Sequence, residues 1–313
     1  MRWGLLILAA ASMTEAAAAQ SIAAGSAQTA PAQRTETRFA PPLSTVQRFR
    51  LTVTKRGETH SWVEEVRFER AGDAFVAHWR MDASSIPAAM RHPLLPPMIQ
   101  PFTGTPVAFD VDADGTVVRT RDWPTHQSAM LKSIDSSRPV VVAASGADKK
   151  QIDALLGSTR AMFSRLDAQS GADIILKNIA PIFGWGGYAL TLGQPVSGSE
   201  TVPVALLGTS IERHSTIELT ALEPGRARIT LRSEFDGAAM RSTLEKLGAM
   251  GANGDAAAKA RFAQSLAQAE QMRAVQAIDV LLDLATGLPH RVEVVVSVDG
   301  KPRDRTIVEW LNR

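Results

Sequence analysis

Apolar side chains recur at every second position in repeated stretches of the chain. Only an extended strand can use that period, because its successive side chains point to opposite faces of a sheet. Phe49, Leu51 and Val53 alternate with Arg50, Thr52 and Thr54. Trp62, Val66 and Phe68 share a face of the next segment, and Phe75, Ala77, Trp79 and Met81 share a face of a third, with Ala71-Gly72-Asp73 as the hairpin turn between them. Val107, Phe109 and Val111 then alternate with Ala108, Asp110 and Asp112, and Asp114-Gly115 turns the chain into Thr116–Arg121. These segments predict one meander.

A second is expected from about Ile211, where Ile217, Leu219 and Ala221 lie opposite Thr216, Glu218 and Thr220. Pro224-Gly225 makes the turn into Ala227, Ile229, Leu231 and Phe235, and three further strands follow at Val275–Leu284, Arg291–Val298 and Arg303–Leu311. One apolar and one polar face per strand is the pattern of an antiparallel sheet wetted on one side.

Helical spacing interrupts the strands. A short helix is expected after Asp122, burying Trp123, Met130, Leu131 and Ile134, and a longer one from Ala147 carries Ile152, Leu155, Leu156, Phe163 and Leu166. Two more are predicted around Met240, Leu244 and Leu247 and around Phe262, Leu266 and Met272. Antiparallel runs with inserted helices define an α+β class, with helices packed on or inserted between two β-meanders. Val107–Gly115 and Val280–Gly287 echo each other, each an apolar strand with an Asp followed by a Gly turn; duplication and ordinary strand-turn grammar are both open readings.

Residues 1–19 have the plan of a cleavable secretory signal: Arg2, then apolar Trp3–Met13, then Ala17-Ala18-Ala19 before Gln20. A membrane anchor would need about 20 apolar residues, and Ser12, Thr14 and Glu15 interrupt the run. Residues 20–42, rich in Ala, Gln, Ser, Thr and Pro, are expected to be a flexible leader. Residues 43–313 are expected to form one β-rich domain, with possible sub-blocks 43–145 and 200–313. The destination predicted is the periplasm. The chain has no cysteine, so in that oxidising compartment it has no disulfide, and without a lipobox cysteine it is not a lipid-anchored lipoprotein. A net charge of +2 with interspersed signs argues against nucleic acid and polybasic membrane binding.

No catalytic constellation stands out. The six histidines are scattered without metal-ligand spacing, no metal or cofactor site is predicted, and neither G-x-S-x-G nor S-x-x-K occurs. Asp110-Val-Asp112-Ala-Asp114-Gly115 copies the first half of a calcium loop, but its twelfth position is Arg121 instead of a bidentate Glu; an acidic β-hairpin is the competing reading. Two apolar segments are candidate ligand contacts. Ser85–Phe102 holds five prolines among Met90, Leu94, Leu95, Met98 and Phe102, a composition that suits either a cap on the core or a lid over a cavity. Ile179–Tyr188 offers Trp185 and Tyr188 among glycines, without the Lys-Ser/Thr of a phosphate loop.

The signal, the opening hairpin, the Gly104-Thr-Pro-Val-Ala-Phe-Asp110 strand, the helices across the sheet and the closing meander together resemble exported half-barrel proteins related to periplasmic lipoprotein carriers. The resemblance implies a curved antiparallel sheet whose concave face, closed by helices, holds an acyl chain or another apolar ligand. This chain is longer than the smaller carriers and has extra inserted helices. Its expected function is binding or carriage of an apolar or lipid-like ligand. The alternative is an envelope scaffold whose partner is a protein, and a hydrolase is the least supported reading.

Overall fold

The computed structural model describes residues 33–55, 57–87, 102–145, 149–204, 209–235 and 273–312. Its strands are β1 (Arg34–Glu36), β2 (Val46–Lys55), β3 (Glu58–Ala71), β4 (Ala74–Met81), β5 (Val107–Val111), β6 (Val117–Thr120), β7 (Ala189–Thr191), β8 (Val196–Val204), β9 (Thr209–Glu223), β10 (Arg226–Phe235), β11 (Ala274–Asp283), β12 (Pro289–Val298) and β13 (Lys301–Trp310). The helices are α1 (Trp123–Ser145), α2 (Lys149–Ser164) and α3 (Ala168–Leu176).

Eleven strands form one open antiparallel sheet in the order β6-β5-β4-β3-β2-β13-β12-β11-β10-β9-β8, and β1 pairs separately with β7. The two predicted meanders are therefore halves of one sheet. Their seam is β13 against β2, where Trp310 faces Phe49 and Val308 faces Leu51. The predicted alternation sets the inner face: Trp62, Leu51, Val308, Val292, Val280, Ile229 and Leu219, one from each of seven adjacent strands, lie in a row across the sheet and are all buried.

The sheet is strongly curved, as one residue demonstrates. The Phe39 ring lies so close to Gly115, in the β5–β6 turn, that a Cβ there would meet it at 2.6 Å. The next residue's N–H, Ala40, donates to Thr286 O in the β11–β12 turn at 2.9 Å. Five strand intervals separate β5 from β12, about 24 Å on a flat sheet, a distance no single side chain spans. Curling brings both turns onto residues 37–43, a strap across one end of the concave face.

That strap corrects the expectation of a leader extending to residue 42. Its low apolar content is offset by specific ties. Thr37 N donates to Tyr188 O at 2.8 Å, Gly187 N donates to Thr37 O at 3.0 Å, and Phe39 packs edge-on against Phe68 and Phe75.

The helices also differ from expectation. α1 is long instead of short, continuing through Pro139 to Ser145, and α2 starts at Lys149. α3 and β8 were not anticipated, so the second run of strands begins at Val196, before Ile211. The helices expected around Met240 and Phe262 lie outside the described residues.

Candidate functional site

α3 is capped by Asp167, whose carboxylate accepts from Ser170 N at 2.8 Å and so satisfies one of the free N–H groups of the first turn. Its Ala172, Ile175 and Leu176 are buried. A 3-10 turn at Ala180–Ile182 then carries the chain into Phe183 and Trp185. Between this run and the concave face lies a cavity of about 120 Å³. Its apolar wall comes from Val53, Ile278, Val294 and Phe235 on the sheet and from Leu176 and Trp185 on the covering side.

Polar groups enter the same cavity. Gln276, on β11 between Val296 and Ser233 in register, is 5% exposed, and its Oε1 has no hydrogen-bond partner. Lys55 pairs with Asp304 at 3.5 Å. Burial, reinforced by Asp167, pushes the Asp173 carboxyl up to about 6. Burial also holds the Lys177 ammonium below its ordinary value; Lys55 acts in the same direction and Asp304 against it.

The predicted contact residues are divided. Met90, Leu94, Leu95 and Met98 lie outside the described residues. Trp185 is buried, lines the cavity and donates its indole N–H to Pro181 O at 2.7 Å. Tyr188 is buried 6.5 Å from the Trp185 ring, but its backbone serves the strap and it is not among the cavity walls. Phe102 is half-buried 5.8 Å from the ring of Trp79 and also lines no part of the cavity. Gln276, Asp173 and Lys177 were missed. The usable signal for Gln276 was its parity, because it falls on the apolar face of the β11 alternation with Ile278 and Val280.

A second missed group is Glu64, 2% exposed on the inner face of β3. Its two oxygens accept from Trp62 Nε1 at 2.7 Å and Trp79 Nε1 at 2.6 Å. Burial dominates these two bonds and pushes the carboxyl up to about 7.

Other arrangements resolve into structural roles. Asp110 is held by Arg119 and Arg121, and the Asp112 carboxylate accepts from Asp114 N and Thr116 N, so the acidic run is a β-hairpin. Ser199 Oγ lies 2.6 Å from His214 Nδ1, but both are exposed cross-strand neighbours and Glu212 is 3.9 Å from the far nitrogen, too distant to orient the imidazole. His290 belongs to the interior. Its side chain is buried, 3.4 Å from Asp283, with its ring tilted against Trp310 at 5.5 Å between centroids. Among the described residues no His, Cys, Asp and Glu grouping could hold a metal.

The fold and site thus define an open, curved antiparallel sheet with a small apolar cavity under a covering helix. Compared with protein families, curated proteins and solved structures, the chain matches none.

Proposed function

We propose that this is an exported, periplasmic binding or carrier protein for a small apolar or lipid-like ligand, with a half-barrel sheet as its receptacle. The observation that carries the reading is the cavity between α3 and the concave face, with apolar walls and a few inward polar groups, the usual character of a ligand site. The composition of residues 1–19 supports export. The absence of any aligned nucleophile, base and carboxylate among the described residues favours binding over hydrolysis.

The test is native mass spectrometry of the protein isolated from a periplasmic fraction. The expected result is a chain beginning near Gln20 with a co-purified apolar molecule that organic extraction releases. Val296→Phe, which fills the cavity from half-buried β12, is expected to lower occupancy at least about tenfold with the fold intact by circular dichroism. Occupancy unchanged by that substitution would move the ligand elsewhere, and a ligand-free protein would overturn the carrier reading.

A further inference from the structure

Gln276 is out of place by the rules of an apolar wall. It is flanked on its strand by inward-facing Ala274 and Ile278, is nine-tenths buried, and borders the cavity with a carbonyl oxygen that accepts no hydrogen bond. Leaving such an acceptor dry and unpaired is unfavourable, whereas an aliphatic residue of similar volume would fill the position without that penalty. A group entering the cavity with a hydrogen to donate would relieve it.

We propose that Gln276 makes the cavity selective for an uncharged hydroxyl-bearing apolar molecule over a bare hydrocarbon or a carboxylate of the same size. This rests on reading the cavity as the ligand site.

Three observations narrow the choice. First, a hydroxyl both donates and accepts, so it satisfies a carboxamide in either orientation of its Oε1 and Nε2. Second, the charges around the cavity balance in number: Lys55 and Lys177 line it together with Asp173 and Asp304, and Lys55 is engaged by Asp304 at 3.5 Å. No surplus cation remains for a carboxylate, and no surplus anion for an ammonium. Third, a cavity of about 120 Å³ is close to the roughly 150 Å³ engineered apolar cavity that takes up benzene, so the enclosed part is a single ring or a short chain.

Toluene, benzyl alcohol and benzoate share one ring and differ only in the group Gln276 would meet. Titrated into the mature chain and followed by the methyl resonances of Ile278 and Val294, benzyl alcohol is expected to bind about tenfold tighter than either of the others. In Gln276→Leu the alcohol should fall to the toluene level, with toluene binding as well as before and the melting temperature no lower. Gln276→Met, which keeps the length and removes the hydrogen bond, gives the same readout if the leucine variant fails to fold. Equal binding of alcohol and toluene to the parent, or a preference that survives both substitutions, overturns this inference and leaves the cavity reading standing. If none of the three probes shifts those methyls, both readings fall.

Discussion

Gly287→Ala is expected to destabilise the protein by about 4 kcal/mol, several times the effect of the same substitution at Gly72. Both glycines have positive φ, +69° and +65°, a conformation that costs an alanine about 1–2 kcal/mol. Around Gly72 nothing lies within 4 Å, so that cost is the whole effect. At Gly287 a Cβ would overlap the Arg38 carbonyl and crowd Phe39 Cα at 2.9 Å. Relieving the overlap means lifting the strap from the β11–β12 turn. The Ala40–Thr286 hydrogen bond is lost, about 1 kcal/mol, as is part of the Phe39 burial, about 1.5–3 kcal/mol when complete. Urea unfolding of the two variants beside the parent measures the difference. Equal effects at the two positions would mean the strap contributes nothing to closing that end of the sheet.

The strap also shows where reading the sequence runs out. Strand faces were legible because alternation is local: Phe49 and Leu51, Phe75 and Ala77, and Val107 and Phe109 are all buried where the pattern places them. The β13–β2 seam was not, since nothing within either strand says that Trp310 will pair with Phe49 from the far end of the chain. The echo between Val107–Gly115 and Val280–Gly287 acquires a physical content that the strings alone lacked: both turns end against the same Phe39. α3 was obscured by its nine-residue length and by Gly171, a poor helix former that here leaves room for the Trp123 ring. Its one overt signal was Asp167 at the cap. Of the candidate site, Trp185 was found from its aromatic-glycine setting. Gln276 and Glu64 were missed for a common reason: polar residues on an apolar parity look like interruptions of a pattern until burial shows that they belong to it.

Glu64 has a second large consequence, a stability that falls as pH rises through the neutral range. Its carboxyl titrates at about 7 in the folded protein against 4.5 for an ordinary glutamate, chiefly because the inner face of β3 excludes water. Below about pH 4.5 it is protonated in both states and costs nothing. Between 4.5 and 7 the unfolded chain releases the proton while the folded protein holds it, so folding loses about 1.4 kcal/mol per pH unit and about 3 kcal/mol in all. Above 7 the penalty is constant, because the carboxyl is then ionised in both the folded and the unfolded chain. Asp173, raised to about 6, slopes in the same direction, whereas Asp110 and Glu293, held below their ordinary values by arginines despite partial burial, slope oppositely in more acidic solution. The parent profile is therefore a sum, and the contribution of Glu64 is isolated by difference. Glu64→Gln cannot ionise and is expected to remove about 3 kcal/mol of pH dependence between pH 4.5 and 8. It also carries a pH-independent offset, because a carboxamide presents one acceptor where two indole N–H groups point. Urea unfolding at several pH values separates slope from offset. Parallel parent and variant curves would show that the buried carboxyl does not hold its proton, and that water reaches it between Trp62 and Trp79.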